Sequence, residues 1–429
     1  MKRTRIAWVI VATAFAAFGF GSAAYAFHDG GVAECSGCHS MHGSPASDYL
    51  LVNADQSSTC LSCHESDTDT GPRSYHISTA ASQLSNNTDI PLQRSPGGDF
   101  GWLRQDLVGI NSRGGSEFNN GEDRGHNIVS IDKSYVADST PQAPGGIMSS
   151  TDLSCVSCHD PHSRARRIPG GNVIYPPSTG TYEPITAAGS YGAVPPAGEA
   201  VGVYRLLGGS AYTAYPSGPT FPGVPAAVSP STYNRTELST QTRVAYGHGT
   251  ANGYASWGQW CATCHPDMHT VSSPNLVHEV DGQLNGPAAI YNKYVKTGDL
   301  TATSGDSFTS LVPYAMNTSD VTLLAPKALT NDSDLSGPLA TDRIACLSCH
   351  RAHASGWPYM MRWNSEAEFL TLGDPATPIY PGTDAGLGNQ GQYNLGYTTA
   401  QMAAAYYDRP ATEFAGHQRS LCNKCHNKD

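Results

Sequence analysis

The sequence predicts a fold of coil and turns with short helices and little β-structure, wrapped around an interior that aliphatic side chains alone do not fill. Three observations carry this expectation. Hydrophobic residues are only 39% of the 429, below the usual share for a globular chain. The 45 Gly and 29 Pro together make about one residue in six, and no stretch sustains a strand repeat or a βαβ pattern. All 12 cysteines belong to one repeated motif. The chain is nevertheless not a solvated disordered polymer: charged residues are only 14%, and there are 22 Tyr.

Residues 1–26 read as a signal peptide. Lys2, Arg3 and Arg5 form a basic start, Ile6 to Phe20 an apolar run, and Ala24-Tyr25-Ala26 a small-residue cleavage site. The run is too short, and too directly followed by small residues, for a membrane anchor. Residues 27–429 are then expected to form one unit. Loss of the three basic residues takes the formal charge from −11 to about −14. That charge disfavours nucleic acid, whose phosphates need a basic surface. No later stretch has the length and apolarity of a transmembrane span. The expectation is an exported protein, soluble or surface-associated.

The cysteines carry the chemistry. They form six Cys-x-x-Cys-His motifs: Cys35/Cys38/His39, Cys60/Cys63/His64, Cys155/Cys158/His159, Cys261/Cys264/His265, Cys346/Cys349/His350 and Cys422/Cys425/His426. Six disulfides would suit an exported chain, but the spacing points elsewhere. Cys-x-x-Cys-His is the attachment signal of c-type haem. Positions i and i+3 of a helical turn face the same way, so both thiols reach the vinyl groups of one porphyrin. The following His then lies beneath the iron as the proximal ligand. One such motif could be a redox pair or half a zinc site. Six, using every cysteine, with motif histidines 25, 95, 106, 85 and 76 residues apart, fit six separate covalent haem c groups better than structural zinc. The fold class is therefore a multihaem cytochrome c, with the chain wrapped around a continuous haem stack.

Ten histidines remain for six second axial positions: His28, His42, His76, His126, His162, His248, His269, His278, His353 and His417. His42, His162 and His353 each lie three residues after a motif His, and His269 lies four after His265. None can reach the opposite face of its own haem across so few residues. If such a His binds iron, it binds another haem, and the haems must lie close together. Met is the alternative ligand, but Met41 and Met268 directly precede candidate histidines. The surplus of His favours bis-His ligation at all six irons and low potentials.

Between the motifs, residues 65–154 are polar and Gly-rich, with His76 and His126 isolated. Residues 168–260 read as Pro/Gly/Tyr turns, including Tyr175-Pro176-Pro177 and Val194-Pro195-Pro196, that wrap the haems. Helical spacing is weak but present over 282–300 and 396–407.

With the motifs placed, the chain from Phe27 to Asp429 resembles the outer-membrane cytochrome S type of hexahaem nanowire cytochromes of metal-reducing bacteria. The resemblance rests on FHDGGVAECSGCHSMH at Phe27–His42, GPRSYHIST at Gly71–Thr79, PGGDFGW at Pro96–Trp102 and GHNIV at Gly125–Val129. VPAAVSPSTYNRTE at Val224–Glu237, TQTRVAYG at Thr240–Gly247, CLSCHRAHASG at Cys346–Gly356 and LCNKCHNKD at Leu421–Asp429 continue it. Loops around 180–220 and 300–340 diverge. The resemblance implies a head-to-tail extracellular filament with bis-His irons throughout. It implies that His42 ligates the haem of Cys346/Cys349/His350 in the adjacent subunit. It makes His76, His126, His162 and His353 the better distal ligands, with His269 or His278 as the sixth, and leaves His248 and His417 spare.

The expected function is extracellular electron transfer through a conductive filament. The implied partners are other copies of the chain, other outer-membrane or periplasmic cytochromes, and extracellular metal oxides or cells. A multihaem reductase would need an open iron position or an unusual proximal ligand, and all six motifs end in His. A monomeric periplasmic shuttle is the alternative; cross-subunit ligation or filaments separate it from a wire.

Overall fold

The computed structural model describes residues 35–45, 49–66, 76–110, 115–161, 166–167, 173–174, 206–210, 212–228, 243–250, 253–269, 278–294, 310–329, 331, 333–381 and 395–426. The signal peptide, His28, His162 and the Pro-rich stretches at 175–177 and 194–196 lie outside them.

Helices among the described residues are short. They are α1 (Cys35–Cys38), α2 (Gln56–His64), α3 (Trp257–Cys261), α4 (Gly286–Lys293), α5 (Val321–Leu324), α6 (Cys346–Cys349) and α7 (Thr399–Ala405). α4 and α7 fall where the helical spacing predicts them. α7 starts at a capping box: Thr398 Oγ1 accepts from Gln401 N, and Gln401 Oε1 from Thr398 N. None of these helices is long and apolar enough to cross a membrane.

The β-structure consists of small ladders. Glu65–Ser66 pairs in parallel with Ser78–Thr79, and Leu107–Ile110 pairs antiparallel with Ser116–Asn119. Ala245–Gly247 is the middle strand of three, between Ala227–Val228 and Ala315–Met316. Part of the region read as turns is therefore a buried sheet. Strands of two or three residues are too short to show alternation, so the pattern is invisible in sequence.

An interior of side chains does exist, and aromatic and aliphatic residues share it. Trp102, Trp357, Trp363, Tyr291, Tyr294, Tyr380, Tyr397 and Tyr406 pack into one cluster, which the thioether-motif residues Cys349, Cys422 and Cys425 adjoin. Leu61, Phe100, Ile128 and Tyr135 form another beside Cys155. The tyrosines explain how a coil chain stays satisfied. Irregular backbone leaves carbonyls without ladder partners, and a buried phenol needs an acceptor. Tyr291 Oη donates to Val312 O at 2.5 Å, Tyr380 Oη to Arg409 O at 2.7 Å and Tyr407 Oη to Ser95 O at 2.6 Å. Tyr294 and Tyr397 do the same to Arg419 O and Gly356 O. Buried arginines serve likewise: Arg362 Nε donates to Leu347 O at 2.7 Å and His350 O at 3.2 Å.

Candidate metal centres

Each Cys-x-x-Cys-His motif lies on a helical turn. The first, second, fourth and fifth involve α1, α2, α3 and α6; the third and sixth lie on 3₁₀ turns at Cys155–Ser157 and Leu421–Lys424. One hydrogen bond recurs whatever the helix type. The motif His N–H donates to the carbonyl of the first Cys in His159 (3.0 Å), His265 (3.1 Å), His350 (2.9 Å) and His426 (3.2 Å). That bond closes the turn that brings both thiols to one side. Local polar residues start the turns. Asp55 Oδ1 accepts from Ser58 N at 2.7 Å ahead of α2. Ser256 and Gln259 form a capping box on α3. Ser348 Oγ accepts from Ala345 N at 3.0 Å ahead of α6.

The motifs lie close to one another. α2 of the second motif lies against the third motif's turn, and α3 of the fourth lies against α6 of the fifth. The fifth and sixth meet at one buried cluster, which Cys349, Cys422 and Cys425 all adjoin. Burial and the nearby Cys63 push the Cys38 thiol up, and burial and the nearby Cys264 push the Cys158 thiol up. Successive attachment points are therefore neighbours.

Histidines from distant segments face the motif histidines. His126 and His265 have ring centroids 6.1 Å apart, His159 and His353 6.3 Å, and His278 and His426 6.3 Å. Two imidazoles bound through Nε2 to opposite sides of one metal, each about 2 Å from it, have ring centres about 6 Å apart. His353, three residues after the fifth motif His, thus faces the third motif rather than its own. The tautomer is also the right one. Nδ1–H donates to a backbone carbonyl in His39 (Tyr49 O, 2.8 Å), His126 (Ala352 O, 2.7 Å), His265 (Pro144 O, 2.8 Å) and His350 (Tyr359 O, 2.8 Å). This fixes the ring through Nδ1, and Nε2 is the ligating nitrogen of that tautomer. Desolvation and the neighbouring motif histidine push His126 down to about 4 and His353 down to about 3. Both are therefore neutral near pH 7, the form that ligates.

Local structure holds His353 in place. Phe100 stacks on its ring at 4.8 Å, and a Cβ on Gly97 would lie 2.7 Å from its Nδ1. Gly98 has φ +97 and approaches Ala354 O so closely that no side chain fits. Buried Asp99 locks this loop by accepting from Thr79 N, Thr79 Oγ1, Gln93 N and Gly101 N at 2.5–2.8 Å. Gly97, Asp99 and Phe100 stand in the quoted PGGDFGW stretch, but composition and spacing assign them no role; only the fold brings them to residue 353.

The remaining candidates divide. Of the pair left open, His278 is the one that faces a motif His. His269 Nε2–H instead donates to Asp281 Oδ2 at 3.1 Å, and Asp281 also accepts from Ser256 Oγ at 2.5 Å. His248 lies 3.7 Å from the other oxygen of Asp281. His417 is exposed, edge-on to Phe369. His76 sits beside the second motif, where Ile77 N donates to His64 O at 2.9 Å. His42 is exposed, as are its neighbour Met41 (78%) and, beyond the His39–Leu51 bridge, Tyr49 (56%) and Leu50 (41%). His162 lies outside the described residues.

Paired thiols on one turn, a His oriented through its Nδ1, and a second His at the separation of a shared iron are the donor set of c-type haem. Comparisons with known proteins agree. Residues 28–69 match a family described as the doubled CXXCH motif. The chain is 46% identical over 434 residues to the C-type cytochrome OmcS of Geobacter sulfurreducens (strain ATCC 51573 / DSM 12127 / PCA), covering 95% of each. Two solved structures of that organism resemble the fold, one described as cryo-EM of the OmcS nanowires and the other as the outer membrane cytochrome S filament. Each has a TM-score of 0.80 at 46% identity and covers 94% of this chain and 100% of the other.

Proposed function

Because the chain belongs to the OmcS family of c-type cytochromes, we propose that it is an extracellular electron carrier that polymerises into a conductive filament. It binds haem c covalently through its Cys-x-x-Cys-His motifs, and the reading takes all six motifs as loaded, within one unit spanning residues 27–429. Haem iron would supply one-electron chemistry by alternating between the ferric and ferrous states.

The chain's own residues bind, orient and space these groups. Cys35/Cys38, Cys60/Cys63, Cys155/Cys158, Cys261/Cys264, Cys346/Cys349 and Cys422/Cys425 are the attachment points, and His39, His64, His159, His265, His350 and His426 the proximal ligands. His353 is assigned to the third centre, His126 to the fourth and His278 to the sixth. His76 and His162 are assigned to the first two centres without a choice between them. His42 is assigned to the fifth centre of the adjacent subunit, a role that its exposure and apolar surroundings support. His269 is assigned instead to the hydrogen-bonded cluster around Asp281. Filaments on the outer surface would deliver electrons to metal oxides or other cells, with other cytochromes feeding them. Substrate turnover has no place in the reading, since all six motifs end in His and ten further histidines are available.

The observation that carries the proposal is the close succession of motifs: α2 lies against the third motif's turn, α3 lies against α6, and three motif histidines each face a second His at 6.1–6.3 Å. Close succession is what a wire requires, and a protein that stores or shuttles single electrons does not need it. Intact mass of the purified chain tests it first. The expected value is residues 27–429 plus six haems, with all irons low-spin in both redox states. Fewer haems, or a high-spin fraction that binds carbon monoxide, would refute it.

A further inference from the structure

The six motifs have twelve intervening positions: Ser36, Gly37, Leu61, Ser62, Val156, Ser157, Ala262, Thr263, Leu347, Ser348, Asn423 and Lys424. Eleven are uncharged. Lys424, in the sixth motif between Cys422 and Cys425, is the exception, and it is fully buried.

Its surroundings favour the ammonium form. Lys424 Nζ donates to Tyr291 O at 2.8 Å and Tyr294 O at 2.9 Å. These carbonyls belong to the last turn and C-cap of α4, where four carbonyls lack helical partners and the helix dipole is negative. The same nitrogen lies 3.7 Å from the ring centroid of Tyr291 and 5.3 Å from that of Tyr294. Both carbonyls and both ring faces present negative potential to one cation. The contacts also join two parts of one centre. α4 follows His278, Lys424 precedes His426, and the two imidazoles face each other at 6.3 Å.

Resting on the haem assignment above, we propose that Lys424 is a positioning residue that raises the reduction potential of the iron at the sixth motif. Reduction of a haem adds one electron and cancels one unit of positive charge on the iron. A fixed positive charge in a low-dielectric interior stabilises the reduced state. Lys424 thereby shifts the distribution of an electron within the subunit toward the sixth centre.

The test compares holoprotein carrying Lys424→Gln, which keeps two N–H donors without charge, Lys424→Met, which keeps the stem, and Lys424→Arg, which keeps the charge. Intact mass and low-spin spectra first establish six haems in each. Fewer than six in the wild type refutes the haem assignment itself, separately from this inference. In a spectroelectrochemical titration, Lys424→Gln and Lys424→Met should move about one sixth of the amplitude to lower potential. Lys424→Arg should keep that fraction near its wild-type position. Curves for the neutral variants that superpose on the wild type would overturn the proposal. So would an equal downward shift in Lys424→Arg. Loss of the sixth haem from both neutral variants would also overturn it, replacing tuning by a purely structural role.

Discussion

His126 and His265 come from segments 139 residues apart, and their rings face each other with centroids 6.1 Å apart. The same His126 is held by the fifth motif's loop: its Nδ1–H donates to Ala352 O at 2.7 Å and its backbone N–H to His353 O at 2.8 Å. His353 in turn faces His159 of the third motif. Two adjoining contacts therefore interlock three motifs, and the spacing between centres follows from backbone hydrogen bonds rather than from regular secondary structure.

His126→Ala removes the imidazole that faces His265 and no attachment point. The expected product carries six haems by mass, with one iron in six no longer low-spin by electron paramagnetic resonance. A fully low-spin variant would show that His126 is not the ligand.

Substitution separates the two histidines that the motif spacing leaves open. His278→Ala should convert one iron of six to a five-coordinate or water-ligated state. His269→Ala should leave all six low-spin, since its Nε2 is engaged by Asp281. Loss of a hydrogen bond to a charged group should lower stability by roughly 1.5–3 kcal/mol in thermal or denaturant unfolding. The reversed spectroscopic outcome would exchange their roles.

Gly97 stands against the ring of His353, so Gly97→Ala should displace that ring. Forcing an extra methyl into a packed site costs about 1–3 kcal/mol. The variant should melt earlier and show ligand loss at the third centre, as a weakened low-spin signal. An unchanged melting temperature and spectrum would mean that the ring moves aside freely.

How far the sequence reads through to the structure depends on the range of each interaction. The motifs are local: Cys, Cys and His sit on one turn, so spacing alone locates all six on helical turns. α4 and α7 carry enough helical spacing to be legible as well. The buried sheet around Tyr246 is not legible, because strands of two or three residues show no period. Nor is the aromatic cluster around Trp357 and Tyr406, whose members gather from several segments. The facing pairs behave the same way. Spacing excludes His353 from its own centre but does not name His159 as its counterpart. Choosing His278 over His269 depends on Asp281, a contact that spacing does not encode.

The central claim is that His42 completes the fifth centre of a neighbouring subunit and so couples assembly to ligation. It is exposed, three residues past the first motif, and flanked by exposed Met41. A head-to-tail contact that does not close generates an open filament rather than a ring. Electron microscopy of His42→Ala, with six haems confirmed by mass, tests this directly. The account predicts that long filaments disappear and that one iron per chain becomes five-coordinate or water-ligated. Normal filaments with six low-spin irons in that variant would contradict it.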